Sequence, residues 1–300
     1  MRLRSNMNSL FSKTQFVLCG VAAVVFSGCG EYGGGASVVP NVTVLPADLG
    51  GNIASTEETG AQAETVSESA GGSGPGSLVG RVVLDGTATN LPPLIAMGAD
   101  VKDKEVCAKF DVPDERLVLG ADNGVANVFV YMQKAPKGSG ALESTDEALI
   151  FDQQYCRFKP HCLIVPTGVT VKVLSEDTVA HNTHSYPNKN QGVNSGVAPG
   201  DREGKLQITY NVAESEPIEV KCDYHAWMKA YHLPIDHTFA AITDENGKFE
   251  IPNLPAGEHT FAVWHEAASG KFVERKLVVT IASGQAKEVE IKYPSSKLEF

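Results

Sequence analysis

Three residues whose side chains bind soft metals lie within one short stretch of the chain. Cys222, His225 and Met228 follow a C-x2-H-x2-M spacing, which places a thiolate, an imidazole and a thioether together. One cysteine and two histidines in a plane, with a weak axial methionine, form the ligand set of a blue-copper electron-transfer site. The second histidine must come from elsewhere, and His181, in an H-N-T-H stretch, is the candidate. These residue types predict a site for one copper ion.

The sequence around these residues predicts strands that end at the site. Residues 218–222 alternate apolar and polar side chains, which is typical of a half-buried strand, and Cys222 occupies one of the apolar positions. A tight loop then returns His225 and Met228 toward the sulfur. A second strand, around 169–174, leads to the loop that carries His181. Two loops at one end of a β-sandwich would converge on one metal, and binding would weaken at low pH because both ligand types must be deprotonated.

Two stretches of the chain resemble the cupredoxin family. Residues 158–171 are similar to the F-x-P segment that leads into a strand, a glycine turn and a second strand, and Asp177 precedes the H-N pair as in that family. The C-x2-H-x2-M loop resembles the family's short ligand loop. The resemblance implies the following site: His181, Cys222 and His225 as equatorial ligands, Met228 as the axial ligand, Asn182 fixing the ligand loop, and His184 beside it.

Other interpretations of these residues stay open. A C-x2-H spacing also arises by chance, and zinc accepts the same donor set. His232 and His237, which follow the ligand loop, are interpreted as surface residues. Ser175 stands where the family has an asparagine beside the upstream loop, which is a departure from the family pattern.

The other strand-like stretches resemble a second family. Residues 243–257 carry a T-D-x-x-G-x-F-x-I-x-x-L-P-x-G motif that is similar to the carboxypeptidase regulatory-like (transthyretin-like) β-sandwich. The predicted fold class is all-β, with at most one short helix, at 145–151. A cupredoxin-like Greek-key sandwich at 145–237 is expected to be inserted in, or packed beside, a transthyretin-like sandwich formed by 78–140 and 238–294. Alternatively, residues 125–132 are the first strand of the cupredoxin.

The start of the chain has the features of an export signal. Basic residues precede an apolar stretch at 16–26 that is too short to cross a membrane. The F-S-G-C sequence that follows resembles a bacterial lipobox, which implies removal of residues 1–28 and lipidation of Cys29. Acyl chains on one cysteine would anchor the protein in a bilayer. Plain secretion is the alternative.

Residues 29–77 are predicted to be a disordered tether. Gly, Ser, Ala and Thr dominate this stretch, and it contains neither Lys nor Arg. Together with the lipobox resemblance, the tether predicts a location in the bacterial cell envelope, lipid-anchored and facing the periplasm.

Six cysteines are present in the chain. The signal, lipid and metal predictions account for Cys19, Cys29 and Cys222. An oxidising compartment favours one disulfide among the remaining Cys107, Cys156 and Cys162. The last two are separated by about 20 Å in an extended strand, which exceeds bridging range, although Pro160 could bend the path. The favoured pair is Cys107 with Cys156.

Charge and motif content narrow the functional classes. A net charge of -11 makes the chain a poor nucleic-acid binder and would steer it toward a basic redox partner, such as a c-type cytochrome. The sequence contains no G-x-S-x-G elbow, HExxH motif or phosphate loop, so we do not expect an enzyme. The leading hypothesis is a blue-copper electron carrier, with His225 as its exposed edge and Tyr224 and Trp227 as its docking patch. Alternatives are a copper-handling protein and a metal-free structural envelope lipoprotein.

Overall fold

Almost all regular structure in the chain is β-strand. The structure, a computed structural model, describes residues 73–137, 139 and 147–300. The strands in chain order are β1 Gly76–Asp85, β2 Phe129–Tyr131, β3 Leu149–Gln153, β4 Phe158–Lys159, β5 Cys162–Pro166, β6 Thr170–Val173, β7 His181–Ser185, β8 Asn194–Val197, β9 Leu206–Thr209, β10 Ile218–Lys221, β11 Lys229–Ile235, β12 Ala240–Ile242, β13 Lys248–Leu254, β14 Gly257–Trp264, β15 Phe272–Ile281 and β16 Ala286–Pro294. Within the described ranges, the one α-helix is α1, Lys104–Cys107. The predicted all-β fold class is confirmed.

The strands form four sheets. Sheet I has the order β13-β1-β16, sheet II β12-β2-β14-β15, sheet III β5-β11-β10-β7-β8 and sheet IV β4-β3-β6-β9. Three clusters of buried apolar side chains lie between sheets I and II, between II and III, and between III and IV. The sheets therefore stack as four layers around three cores.

Successive side chains of a strand point to opposite faces of its sheet, so one strand contributes alternate residues to two different cores. On β14, Phe261 and Val263 enter the core shared with sheet I, whereas Ala262 and Trp264 enter the middle core. On β11, Leu233 enters the middle core from the other side. Burial of both faces of sheets II and III fixes their registers, because a slip of one residue would exchange the two faces.

Sheets I and II collect strands from both ends of the described chain, whereas sheets III and IV use the strands between Leu149 and Ile235. The short strand β2 pairs with β12 and β14 in sheet II. This pairing is at odds with the alternative in which residues 125–132 are the first cupredoxin strand. The predicted domain boundaries themselves stay a prediction.

Two local predictions were wrong. Residues 149–151 of the predicted helix at 145–151 belong instead to strand β3, which runs parallel to β6 and buries Phe151 completely. Burial of alternate side chains against sheet III outweighs the weak helical signal there. Strand β1 begins at Gly76, inside the predicted tether, because its first residues pair with β16.

The predicted signal segment, Cys29 and the tether up to residue 72 lie outside the described residues. Within the described ranges, no helix combines the length and the apolar character that a membrane crossing requires.

Candidate metal centre

The predicted ligands lie together at one end of sheet III. Strand β10 occupies the centre of this sheet, and Cys222 follows its last residue. His181 is the first residue of β7. Because β7 and β10 are antiparallel, with Lys221 opposite His184, the end of one strand lies beside the start of the other. The sheet register therefore places the cysteine next to the upstream histidine.

The loop from Cys222 to Met228 is closed by two backbone hydrogen bonds. The Cys222 amide donates to the Met228 carbonyl (3.2 Å), and the Met228 amide donates to the His225 carbonyl (2.9 Å). All three side chains are buried, with exposed fractions of 2%, 1% and 0% for Cys222, Met228 and His225. Met228 packs in the same core as Cys222. The prediction that His225 forms an exposed edge is therefore wrong.

Three ligand atoms converge at this end of the sheet. The Sγ of Cys222 lies 3.9 Å from Nδ1 of His181 and 3.8 Å from Nδ1 of His225, and the two Nδ1 atoms are 3.1 Å apart. Nitrogen and sulfur ligands bind a shared ion at about 2.0–2.3 Å, which separates them from one another by about 3–4 Å. One thiolate with two imidazoles suits copper or zinc. The donor set and its spacing therefore fit a bound metal ion.

A carboxylate lies within hydrogen-bonding distance of the other ring nitrogen, Nε2, of both histidines. The Nε2 of His181 lies 2.9 Å from Asp177, and the Nε2 of His225 lies 3.0 Å from Asp103. An ionised carboxylate only accepts hydrogen bonds, so each Nε2 carries the proton and donates it. In the neutral rings both Nδ1 lone pairs then face the sulfur, which is the arrangement of metal-bound histidines whose outer nitrogen is held by a carboxylate. This arrangement is the strongest physical indication of a metal centre in the described residues.

The same contacts favour the thiolate. Burial alone raises the pKa of the Cys222 thiol, but in the metal-free site hydrogen bonds with His181 and His225, whose rings donate from Nδ1 when that atom carries a proton, outweigh it and lower the pKa to about 6. The backbone amide of Asn182 adds to this lowering. Burial also disfavours the charged form of His181, yet the hydrogen bonds to Asp177 and Cys222 raise its pKa. Binding of a metal ion here would displace the thiol proton of Cys222 and any proton on the two Nδ1 atoms.

Asn182 fixes the start of the ligand loop. Its Oδ1 accepts from the Asp223 amide (2.6 Å), and its Nδ2 donates to the Asp223 carboxylate (2.8 Å). The Nδ1 of His184 lies 3.1 Å from the same carboxylate and 2.8 Å from the Tyr186 hydroxyl. His184 therefore helps to anchor the loop and lies outside the cluster of converging ligand atoms.

Three carboxylates around the site had no predicted role. Asp223 follows Cys222 directly and Asp177 precedes His181 by four residues, so the C-D and D-x3-H spacings are signals that could have drawn attention to them. Asp103 is 122 residues away from His225, and no local pattern connects the two.

The prediction that His232 and His237 lie at the surface was wrong. His232 and His237 are buried, because they lie on or beside β11, which is covered on both faces. Burial lowers the pKa of His232 to about 3. In the expected docking patch, Tyr224 is 46% exposed, whereas Trp227 is partly buried and donates its Nε1 proton to the Cys156 carbonyl (3.2 Å).

The disulfide in the structure is the pair that the sequence favoured. Cys107 and Cys156 form a disulfide with a Cα–Cα distance of 5.0 Å, and Cys162 and Cys222 are free and buried. The disulfide adjoins the metal centre, because its sulfurs lie within 4.8 Å of a ring nitrogen of His225.

Comparison with known proteins gives partial likenesses only. No protein-family model and no curated protein matches the chain. Solved structures that match include the copper-containing nitrite reductase of Thermus scotoductus SA-01 (19% identity, 34% of this chain and 25% of that one, TM-score 0.27). A purple cupredoxin of Nitrosopumilus maritimus (19%, 29% and 99%, 0.24) and an amicyanin variant (19%, 34% and 97%, 0.25) also match. The chain thus spans a quarter of the nitrite reductase. At such low identities and TM-scores, these likenesses by themselves assign no function.

Proposed function

We propose that the protein is a blue-copper electron carrier that holds one type 1 copper ion. His181, Cys222 and His225 would be the equatorial ligands, and Met228 the axial ligand. The observation that carries the proposal is the convergence of one Sγ and two Nδ1 atoms, with a carboxylate behind each imidazole. Bound copper would supply one-electron chemistry. The residues of the chain fix the ligands and exclude water.

Burial of the ligands favours electron transfer over catalysis. A catalytic metal keeps an open position that water or substrate reaches. Here both histidines are fully buried, and Cys222 and Met228 are nearly so. An electron needs no such opening, so a carrier, rather than an enzyme, is the function that this site supports best.

A copper-handling role is the second candidate, since the ligand set suits the cuprous ion as well. Delivery requires that the metal leave readily, which an enclosed site opposes. His232 and His237, which would have served as additional exposed ligands, are buried. A zinc centre or a metal-free structural role are the remaining alternatives.

The visible absorption and paramagnetic-resonance spectra of the purified protein, before and after addition of Cu(II), test the proposal. We expect an intense visible band from thiolate-to-copper charge transfer and a narrow copper hyperfine splitting. An ordinary square-planar copper signal would favour copper handling. A protein that stays colourless and carries zinc, or no metal by elemental analysis, would contradict the proposal.

Met228 provides a finer test. Replacing Met228 with Leu should leave copper bound, because the three strong ligands remain, but should shift the reduction potential, which the axial ligand tunes. Protein-film voltammetry of wild type and variant measures this shift. An unchanged potential would remove Met228 from the ligand set.

The setting of this carrier is proposed from the sequence. A lipid on Cys29 would anchor the protein to the cell envelope, facing the periplasm, and sheets I and II would form the transthyretin-like sandwich. Acidic charge would favour a basic partner such as a c-type cytochrome. Mass spectrometry of the native protein tests the lipid. Electron-transfer rates that do not fall as salt rises would rule out steering by charge.

A further inference from the structure

A segment outside the predicted cupredoxin stretch lies against the metal centre. Residues 94–112 form a loop whose ends pair, since the Leu94 amide donates to the Val112 carbonyl and the Val112 amide to the Ile95 carbonyl (both 2.8 Å). The loop carries helix α1 and Cys107, whose side chain is buried in the core between sheets III and IV. This part of the chain precedes the ligands by more than half the length of the predicted domain, yet it packs beside them.

Asp103 connects this loop to a ligand. Its carboxylate accepts the Nε2 proton of His225 at 3.0 Å and covers the side of the ring that faces away from the sulfur. The Asp103 backbone has a left-handed conformation (φ 56°, ψ 36°), which residues other than glycine adopt rarely. Its carbonyl accepts from the amides of Val106 and Cys107 at 3.0 and 2.9 Å. The carboxylate therefore projects from a backbone that the helical turn holds in place.

The disulfide extends this connection to the second histidine. Cys107 is bonded to Cys156, and the Cys156 amide donates to the Asp177 carboxylate at 2.8 Å. The same oxygen of Asp177 accepts from Nε2 of His181 at 2.9 Å. A continuous chain of contacts thus runs from one imidazole to the other, behind the three converging ligand atoms.

We propose that Asp103, the Cys107–Cys156 disulfide and Asp177 form a brace that positions both histidines and encloses the outer edge of His225. This inference rests on the proposed metal function. Asp103 is a positioning residue in this brace, because it acts on the metal through His225. Removing Asp103 should release one ring, whereas removing the disulfide should loosen both rings, because both carboxylates are tied to it.

Capture of copper by a chelator tests Asp103. The copper-loaded protein is mixed with an excess of chelator, and the loss of visible absorption is followed in time. Asp103→Ala should weaken copper binding about 10–100-fold, the usual cost of losing a carboxylate behind a metal-bound histidine. Asp103→Asn should recover part of this loss, because its amide oxygen still accepts the Nε2 proton. Asp100→Ala is the matched control, since Asp100 lies on the same loop and its exposed carboxylate pairs with Lys104.

A measurement on the metal-free protein separates this inference from the proposed function. Nitrogen-detected NMR reports the Nε2 proton of each histidine. Asp103→Ala should expose the His225 proton to exchange and leave that of His181 protected. The double variant Cys107→Ser, Cys156→Ser should expose both.

The outcomes are distinct. If the wild-type protein binds no copper, but the variants show this pattern of Nε2 proton exchange, the brace is supported and the proposed function is contradicted. A blue protein in which Asp103→Ala behaves like Asp100→Ala in both measurements would overturn the brace and leave the proposed function standing. If the double variant does not fold, the comparison of the two aspartate variants still decides.

Discussion

Cys222 and Cys162 are both free, buried and attached to sheet III, yet their surroundings favour opposite charge states. Hydrogen bonds from two imidazoles lower the pKa of Cys222 to about 6 despite its burial. Burial, with Glu266 and Glu115 nearby, raises the pKa of Cys162 well above its ordinary value. The Sγ of Cys162 instead donates to the Asn127 carbonyl at 3.6 Å. The surroundings of Cys222 thus favour the thiolate, which is the form that binds metals, whereas those of Cys162 favour the neutral thiol.

The placement of carboxylates explains this difference. At Cys222, Asp177 and Asp103 lie behind the imidazoles, so each ring turns its Nδ1 toward the sulfur. Near Cys162, the Nε2 of His161 contacts Glu266 and its Nδ1 lies 3.7 Å from Glu115. There both ring nitrogens face carboxylates, and the negative charges disfavour a thiolate. The cluster at Cys222 therefore turns one ring nitrogen of each histidine toward the sulfur, whereas both ring nitrogens of His161 face carboxylates.

The largest expected effect separates the two thiols directly. Cys222→Ser should lower copper affinity by more than about 100-fold, since even losing a residue behind a ligand costs 10–100-fold. Cys162→Ser should bind copper as wild type does. Competition titration with a chelator measures both affinities. Equal losses in the two variants would show that cysteine substitution acts through folding rather than ligation.

The second effect concerns stability around Cys162. Glu266→Gln removes the nearer of the two carboxylates that face the buried His161 and leaves Glu115 at 3.7 Å, which should cost about 3–5 kcal/mol of unfolding free energy. Burial opposes ionisation of both groups, but their contact lowers the pKa of Glu266 and raises that of His161. The stabilisation by the Glu266–His161 pair should therefore be complete between pH 4.5 and pH 6.5, which are the ordinary pKa values of glutamate and histidine. It is lost as pH rises through the raised pKa of His161, or falls through the lowered pKa of Glu266.

Urea denaturation of wild type and Glu266→Gln across this pH range measures the effect. Glu258→Gln, an exposed glutamate on β14, is the control. A loss that does not vary with pH would indicate a packing defect, and the electrostatic account of the Cys162 region would then be wrong. In addition, removing the Glu266 charge should lower the pKa of Cys162 and so reduce the difference between the pKa values of Cys162 and Cys222.

Sequence patterns predict those features of the molecule that depend on residues close together in the chain. Alternation identifies strands such as β10, and ligand chemistry with its spacing selects Cys222, His225 and Met228. Asp103 could not be predicted, because it reaches His225 through chain topology and a disulfide. His232 was misplaced for a related reason. A polar residue on a strand appears solvent-facing until a second sheet is known to cover it.

The smallest effect separates the ligands from the loop that holds them. Asn182→Ala removes both side-chain contacts to Asp223, the residue after Cys222, but leaves the ligand atoms in place. Copper affinity should fall about tenfold, the lower end for residues that support a ligand. Asn194→Ala is the matched control, because Asn194 contacts the same carboxylate from a more exposed position. If Asn182→Ala costs as much as Cys222→Ser, then loop geometry dominates copper affinity. Cys162 would then differ from Cys222 mainly because it lies on a regular strand rather than in a closed loop.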